Sequence, residues 1–417
     1  MTRERDMDDQ TAKKIKDISN YIFPDLVKLR RELHQHPELY FKEYRTSERI
    51  AKELTHLKIR VKKEIAKTGV VGLLVGAIQE LPRQNYPKKK NTGKTVALRA
   101  DMDALPILEQ TNLPYKSKNQ GIMHACGHDI HMTCVIGAAK ILSAMKNELN
   151  GNVKFIFQPS EEVQPGGAKP MIQAGVLKNP NVSGIFGLHC DPSIPIGKIG
   201  VRQGPFMAQA DDFDIIIHGT GGHGARPHDG VDAIVVAAQV IQALQTIASR
   251  KISPVEPVVI SVGKIEGGTA RNIICDRVTL KGTARSLNQK VANRIPMLLK
   301  EIAGGIAKSS GASAEVIYHT GYPVLVNPPK TTDLARNTIL SMLGEDAVYE
   351  IPKPLMGAED FAYFLQKVPG SFLRLGTRNP GKGTTYPWHH PKFNVDEDAI
   401  KIGASVLAGL AFDFLSN

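Results

Sequence analysis

A thiol, several imidazoles and a carboxylate meet in the stretch Met123-His124-Ala125-Cys126-Gly127-His128-Asp129-Ile130-His131. Apolar residues at helical spacing follow it, so the stretch predicts a turn that leads into a helix. A thiolate with an imidazole is a ligand set that suits zinc and its neighbours. The helix dipole should favour the thiolate form of Cys126, because the thiol precedes a helix N-terminus. A single Cys-Gly-His is more often a buried thiol beside surface histidines, so further ligands must come from elsewhere in the chain.

Candidates for these further ligands follow three apolar runs, residues 96–99, 153–157 and 185–188, which are predicted strands. The side chains after the three runs are Asp101 and Asp103, Glu161 and Glu162, and His189. Ligands of parallel α/β sheets bind outside the carboxyl ends of the strands, so we expect these residues beside Cys126 and His128. In the pair Glu161-Glu162, one carboxylate could coordinate metal while the other serves as general base.

The alternation of strands and helices predicts an α/β fold with a mostly parallel sheet. From about residue 204 the order becomes β-α-β-β-α-β, which is ferredoxin-like. We therefore expect a catalytic domain in two parts, residues 1–203 and 321–417, with an inserted ferredoxin-like α+β domain at 204–320.

The first helical pattern, residues 11–57, should be interrupted at Pro24 and Pro37. His34 and His36 lie near the second break, and we interpret them as capping or surface residues.

The composition, 417 residues with 42% hydrophobic and 23% charged side chains, is typical of a soluble globular protein. No apolar run approaches the roughly 20 residues of a membrane span, and the charged N-terminus lacks the apolar core of a signal peptide. Four cysteines without disulfide spacing predict a reducing, cytoplasmic setting. The net charge of +12 would suit a nucleic-acid binder, but its densest cluster, residues 87–94, is typical of a solvated hairpin loop. No nucleic-acid-binding motif accompanies it.

Nucleophilic catalysis is the alternative to metal chemistry. The sequence contains no G-x-S-x-G motif. Cys126 and His128 are too close in a turn for the histidine to act as a base on the thiol, whereas chelation tolerates this spacing. We therefore favour hydrolysis by two metal ions that share a bridging ligand.

The chain resembles the aminoacylase and carboxypeptidase family of co-catalytic metallopeptidases. The similar branch is that of N-acyl-amino-acid amidohydrolases, which includes hippurate hydrolases and indole-acetyl-amino-acid hydrolases. The motifs occur in one order along nearly the whole chain: 31–38 (RELHQHPE), 98–106 (LRADMDALP), 123–131, 157–162 (FQPSEE), 187–189 (GLH), 221–225 (GGHGA), 357–361 (GAEDF) and 389–391 (HHP).

This resemblance implies a catalytic domain with two divalent metal ions, whose ligands are Cys126, His128, Glu162, His189 and His389. Cys126 would bridge the ions, and His389 fits the motif position better than His390. Glu161 becomes the general base and acid, and Asp103 the carboxylate that orients a metal ligand. Related branches place a metal-binding histidine where this chain has Asp101, so their ligand set does not transfer unchanged.

The resemblance also implies functional residues in the inserted domain. His223 would reach the partner subunit's active site and help to hold the tetrahedral intermediate. Asn272 and Arg285 match positions associated with the carboxylate of the substrate. The inserted domain would then form a homodimer or a larger oligomer.

The expected function is metal-dependent hydrolysis of the amide that joins an acyl group to an amino acid. The partner is then a small N-acyl amino acid, and neither nucleic acid nor a membrane is expected. A metallocarboxypeptidase or dipeptidase acting on short peptides is the alternative. A non-catalytic metal or nucleic-acid binder is the alternative of a different class. Zinc, manganese and cobalt all tolerate such a site.

Overall fold

The structure is a computed structural model that describes residues 8–76 and 93–416; the basic run 87–90, predicted to be a loop, lies outside them. The α-helices are α1 (Asp9–Gln35), α2 (Tyr44–His56), α3 (His128–Ala144), α4 (Ala168–Gln173), α5 (Ala233–Thr246), α6 (Gln289–Ala292), α7 (Ile295–Ser309), α8 (Pro329–Leu343), α9 (Ala362–Leu365) and α10 (Asp398–Ser416). The strands are β1 (Arg60–Ile65), β2 (Gly69–Val75), β3 (Thr95–Asp101), β4 (Asn152–Gln158), β5 (Gly184–Pro195), β6 (Ile199–Val201), β7 (Gly204–Met207), β8 (Gln209–His218), β9 (Gly222–His223), β10 (Val258–Gly267), β11 (Ile273–Ile274), β12 (Arg277–Ser286), β13 (Ser313–Tyr322), β14 (Leu325–Asn327), β15 (Val348–Glu350) and β16 (Gly370–Arg378).

The chain divides into two compact units. The larger unit contains the described residues up to Gly204, then Asn327–Pro352 and the described residues from Tyr363 onward. The smaller unit contains Pro205–Val326 and Lys353–Ala362. Its second segment, which the sequence prediction placed in the catalytic domain, is joined to the first by a bond from the Ala208 N–H to the Leu355 carbonyl at 3.1 Å.

The larger unit is built on a mixed sheet whose described strands follow the order β1-β2-β4-β3-β5-β16-β6-β15. Strands β4, β3, β5 and β16 pair in parallel, as do β6 and β15. The pairs β1-β2, β2-β4 and β16-β6 are antiparallel. Helices α1, α3 and α10 pack together and contribute Leu26, Ile136 and Leu407 to one apolar core. The predicted α/β fold with a mostly parallel sheet is confirmed.

The smaller unit contains an antiparallel sheet in the order β10-β12-β8-β13. Helix α5 connects β8 to β10, and α7 precedes β13, which gives the β-α-β-β-α-β order of a ferredoxin-like fold. Phe213, Val240 and Leu299 lie in the apolar core of this unit. Its predicted role in dimerisation remains a prediction.

Helix α1 continues through Pro24, where an interruption was predicted. Proline removes the helical hydrogen bond to the carbonyl four residues earlier, here that of Asn20. Pro24 and Asn20 are both exposed, so water can bind this carbonyl, while buried Ile15 and Leu26 anchor the helix on either side. Packing of the apolar face therefore outweighs the missing bond.

Strand β5 is longer than predicted. The apolar run was expected to end before His189, but β5 continues to Pro195 and pairs His189 with Arg374 of β16. His189 therefore projects from a strand and not from a loop. Pairing with β16, which is distant in sequence, extends β5 beyond the apolar residues 185–188.

Two helical segments, Ala233–Lys251 and Asp398–Ser416, are long and apolar enough to cross a membrane by length and composition. The sequence predicted no apolar run of that length. Most of Asp398–Ser416 is buried inside the larger unit, as is typical of a core helix in a soluble protein. Ala233–Lys251 is buried in part, and Val240 and Leu244 on its inner face contribute to the core of the smaller unit.

Candidate metal centre

The carboxyl ends of three neighbouring strands bring the candidate residues to one edge of the large sheet. The pairing of β3 with β4 places Asp101 opposite Gln158. The pairing of β3 with β5 places Arg99 opposite Gly187, two residues before His189. Residues that follow these positions therefore emerge at the same edge, as the sequence predicted.

The turn before α3 depends on Gly127. This residue has a φ of +86°, and a Cβ atom there would lie 2.3 Å from the Sγ atom of Cys190. Glycine alone tolerates both conditions. The Cys190 thiol donates to the Cys126 carbonyl at 3.2 Å, and the carbonyl of the preceding residue accepts the His389 N–H at 2.9 Å. Strand β5 and the loop with His389 thus hold the turn in place.

The five predicted metal ligands lie close together. The ligand atoms of Cys126, His128 and His189 are within 4.8 Å of one another, and so are those of Cys126, Glu162 and His389. Cys126 Sγ lies 3.4 Å from His189 Nε2, and Glu162 Oε1 lies 3.6 Å from His128 Nε2 and 3.5 Å from His389 Nε2. Donors bound to one ion at about 2.0–2.3 Å are separated by roughly 3–4 Å. The spacing fits two ions with Cys126 common to both groups.

Unsatisfied polar atoms in this cluster support the same fit. His128 Nε2 and Glu162 Oε1 are buried and have no hydrogen-bond partner among the described residues. Buried polar atoms of this kind are unfavourable unless a ligand supplies the missing interaction. His189 donates its Nδ1 proton to the Cys190 carbonyl at 2.8 Å, which directs the Nε2 lone pair towards Cys126.

Two side chains of the cluster, Cys126 and His128, do not by themselves favour their metal-binding forms. Burial raises the pKa of the Cys126 thiol well above its usual value, and the Glu162 carboxylate raises this pKa further. The predicted effect of the helix dipole is therefore outweighed. Burial opposes protonation of His128, but the Asp101 and Asp103 carboxylates outweigh it and raise the pKa of His128 to about 10. A divalent cation would have to displace both protons.

Asp103 organises the turn that carries the two glutamates. Its Oδ1 atom accepts the Glu161 N–H at 2.8 Å, and its Oδ2 atom accepts the Glu162 N–H at 3.0 Å. Oδ1 also lies 3.3 Å from Nδ1 of His128. This placement suits a carboxylate that orients other groups. The roles of Asp103 and of both glutamates remain predictions.

Asp101 is engaged by two buried donors, His131 and Arg99. Its Oδ1 atom accepts from His131 Nδ1 at 2.7 Å, and its Oδ2 atom accepts from Arg99 at 2.8 Å. His131 Nε2 in turn accepts the Cys190 N–H at 2.8 Å, next to His189. His131 was not predicted as a supporting group. Its spacing of three from His128, which places both on one face of a helix, was the available signal.

Trp388 is a second residue that the sequence analysis missed. Its indole N–H donates to the Cys190 carbonyl at 2.9 Å, and its ring lies edge-to-face with His189 at a centroid distance of 5.5 Å. The Arg374 guanidinium lies 5.2 Å from the ring centroid. Trp388 thus packs against a predicted ligand, His189. Its position next to His389 was the only sequence signal.

His34 is fully buried, so its interpretation as a capping or surface residue is wrong. Its Nδ1 atom lies 2.8 Å from Oδ2 of Asp129, and its Nε2 atom lies 3.3 Å from Oε1 of Glu109. Arg30 forms an ion pair with the same Asp129 oxygen at 2.8 Å. The network holds the first turn of α3, and it was not predictable because Asp129 is far from His34 in sequence.

The remaining predicted residues, His223, Asn272 and Arg285, belong to the smaller unit. The Gly224 N–H donates to the Asn272 carbonyl at 2.8 Å, which places Asn272 beside the exposed His223. The Arg285 guanidinium lies on β12 and donates to the Asp211 carbonyl at 3.4 Å. Their predicted roles remain predictions.

A mostly parallel sheet that gathers a thiol, imidazoles and carboxylates at its carboxyl edge defines an α/β protein with a candidate dinuclear metal centre. The chain matches the peptidase family M20/M25/M40 over residues 97–413 and belongs to this family. It is 42% identical to thermostable carboxypeptidase 1 of Saccharolobus solfataricus, over 98% of this chain and 99% of that protein. It is 40% identical to N-acetylcysteine deacetylase of Bacillus subtilis, over 93% of this chain and 96% of that protein.

The fold is also similar to a solved structure, that of the Bacillus subtilis YXEP protein, a dinuclear metal binding peptidase from the M20 family. The TM-score is 0.79 at 36% sequence identity, over 95% of this chain and 99% of that chain. The resemblance predicted from the motifs is therefore confirmed.

Proposed function

We propose that this protein is a metal-dependent amidohydrolase that cleaves N-acyl-L-amino acids into a carboxylate and a free amino acid. Its prediction as a hydrolase acting on amide bonds is confirmed by the family and by the deacetylase relative. The observation that carries the proposal is the convergence of Cys126, His128, Glu162, His189 and His389 at one edge of the sheet.

These five side chains are the proposed ligands of two divalent ions. Such ions, when bound, polarise the amide carbonyl and make water a better nucleophile at neutral pH. Zinc, manganese and cobalt all suit a donor set of thiolate, imidazole and carboxylate. The dinuclear metal binding relative supports two ions per chain.

Glu161 is the proposed general base and acid. Its carboxylate takes a proton from the attacking water as the new C–O bond forms. It then gives this proton to the leaving nitrogen as the C–N bond breaks. The side chain is buried, its Oε2 atom lies 4.0 Å from His128 Nε2, and Asp103 holds its backbone N–H. These contacts support a fixed position beside the ligands.

Arg285 and Asn272 are the proposed contacts of the substrate α-carboxylate. The guanidinium group is always charged, and its fork of donors matches a carboxylate. His223 is proposed to act across a homodimer, on the tetrahedral intermediate in the partner subunit. Exposed apolar residues on α5 and β10 support an interface on the smaller unit: Ile234, Val235 and Ile265.

We also propose a cytoplasmic location. Cys126, Cys134, Cys190 and Cys275 are all free and buried. Free thiols suit a reducing compartment.

Hydrolysis of short peptides by a metallocarboxypeptidase is the second candidate. It is favoured by the 42% identity to thermostable carboxypeptidase 1. The amidohydrolase and the carboxypeptidase would use the same metal centre. They differ in the group on the carbonyl side of the scissile amide, which is an acyl group in one and a peptide in the other. Turnover of acetyl and benzoyl amino acids, compared with that of dipeptides of the same amino acids, distinguishes them.

The variant Glu161→Gln tests the chemistry. It removes the base and preserves the size of the side chain, so turnover should fall about 10²–10⁴-fold. Elemental analysis should still find two ions per chain. The matched control Glu162→Gln, which alters a proposed ligand on the neighbouring residue, should lose metal. Unchanged turnover in Glu161→Gln would contradict the role of that residue, and wild-type protein without stoichiometric metal would contradict the proposed function.

A further inference from the structure

Two buried carboxylates hold three consecutive backbone N–H groups of the turn that carries the proposed base and ligand. Asp103 accepts from Glu161 and Glu162. The third N–H, that of Ser160, donates to Oε1 of Glu43 at 2.9 Å. Glu43 is fully buried and comes from the N-terminus of α2, 117 residues earlier.

The same Glu43 carboxylate stabilises two unusual backbone conformations. Its Oε1 atom also accepts the Phe41 N–H at 3.0 Å, and its Oε2 atom accepts from the Thr68 hydroxyl at 2.5 Å. Phe41 and Ser160 have φ values of +53° and +51°. Residues other than glycine adopt such angles only where the surrounding structure fixes them. Glu43 therefore fixes the backbone immediately before Glu161.

We propose that Glu43 is a positioning residue that fixes the turn so that Glu161 and Glu162 meet the reacting water and the metal. This inference rests on the proposed roles of those two glutamates. Glu43 acts through the position of its acceptor oxygen and not through its charge. Its own carboxylate touches neither substrate nor metal.

The surroundings of Glu43 explain why the position of its acceptor oxygen matters more than the charge of its carboxylate. Burial raises the pKa of Glu43 to about 7, and the Asp103 carboxylate adds to this effect. An uncharged oxygen at the same place could still accept from Phe41 and Ser160. The Thr68 hydroxyl can accept as well as donate, so it can also pair with an amide group. Glutamine at position 43 therefore preserves every bond, whereas the shorter aspartate withdraws the acceptor.

Two variants separate the position of the acceptor from its charge. Glu43→Gln preserves the position and removes the charge, and Glu43→Asp preserves the charge and shortens the reach. Manganese or zinc is titrated into the chelator-treated full chain, and amide hydrogen exchange is followed across residues 158–164. Kinetic constants are then measured on the metal-loaded enzyme.

Glu43→Asp should weaken metal binding about 10–100-fold, as is typical of groups behind metal ligands. It should also speed exchange in the turn and lower kcat more than it changes KM. Glu43→Gln should stay within about threefold of the wild type in each measurement.

The matched control is Asp413→Asn. Asp413 is another buried carboxylate of the larger unit, and it accepts from the Thr338 hydroxyl. It precedes Phe414, whose ring lies against Gly184 at the first residue of β5, at the other end of that strand from the proposed ligands. The change should lower stability without affecting metal affinity or exchange in residues 158–164.

The outcomes separate this inference from the proposed site. Equal metal affinity in Glu43→Asp and in the wild type would overturn the inference, and so would equal losses in both Glu43 variants. A loss of affinity in Asp413→Asn as large as that in Glu43→Asp would also overturn it, because general destabilisation would then explain the effect. Glu162→Ala serves as the reference: full metal affinity there would show that the proposed ligand set itself is wrong.

Discussion

The substitution Asp101→Asn tests the buried bonds behind His189. Both carboxylate oxygens of Asp101 face donors, one on His131 and the other on Arg99. An asparagine side chain offers one oxygen and one NH₂ group, so one of these donors must face another donor. A change of tautomer in His131 does not help, because its Nε2–H would then face the N–H of Cys190.

The expected cost follows from the burial of all the groups involved. Loss of a hydrogen bond to a charged group costs about 1.5–3 kcal/mol. Arg99 also loses its buried counter-ion, and breaking a buried pair costs about 3–5 kcal/mol. Because the two contributions overlap, we expect the free energy of unfolding to fall by about 3–5 kcal/mol. Metal affinity should fall about 10–100-fold, since Cys190 adjoins a proposed ligand.

Trp388 provides the assay, because it is the only tryptophan in the sequence and belongs to the larger unit. Urea unfolding of chelator-treated protein is followed by its fluorescence for the wild type, Asp101→Asn, Arg99→Met and the double variant. The double variant should be more stable than the sum of the single effects predicts, since it removes the uncompensated charge.

Two results would refute this reasoning. The first is a cost below about 1 kcal/mol for Asp101→Asn, which would mean that the buried charge is not stabilised by this pair. The second is additivity of the two substitutions, which would show that Asp101 and Arg99 do not interact energetically.

Three further predictions concern buried polar groups. The pKa of Glu43 is raised to about 7 in the folded protein, against about 4.5 in the unfolded chain. The contribution of Glu43 to the free energy of unfolding is therefore complete below about pH 4.5 and is lost as pH rises through 7. Relative to Glu43→Gln, the wild type should lose up to about 3 kcal/mol in urea unfolding between pH 4 and pH 8. Burial lowers the pKa of Lys154 to about 8, although its ammonium group donates to three carbonyls. Because the folded protein then loses this proton at a lower pH than the unfolded chain, the wild type should gain stability relative to Lys154→Met as pH rises from 8 to 10, in the same assay. Trp388→Phe loses the bond to the Cys190 carbonyl, about 0.5–1.5 kcal/mol, so metal binding measured by competition with a chromogenic chelator should weaken about 2–10-fold.

The sequence predicted those parts of the fold that depend on local patterns. Apolar runs marked β3 and β4, which are buried along their whole length, and the residues after them marked the edge of the sheet. The short strands β6 and β15 were missed, because their conformation depends on pairing with distant strands. Strand β1, which pairs with the adjacent β2, was missed because it is mostly exposed and has few apolar residues to mark it.

The supporting groups of the site were missed for a related reason. Glu43 and Ser160 are 117 residues apart, and His34 and Asp129 are 95 residues apart, so no local pattern connects the partners. Without a bound cation, the thiolate predicted at Cys126 is opposed by burial and by neighbouring carboxylates, which sequence spacing does not reveal and which outweigh the helix dipole. The sequence predicted which side chains gather at the edge of the sheet, whereas the bonds that orient these side chains required the fold.

The place of β16 in the large sheet has a consequence for biosynthesis. This strand lies between β5 and β6, but the ribosome makes it only after the whole of Pro205–Val326. Until then β5, 12 residues long, has an unpaired edge, and such edges readily pair with other chains. During translation, the unpaired edge of β5 must therefore be shielded from pairing with other polypeptides. A truncated chain that ends before residue 370 should form aggregates instead of a soluble fragment.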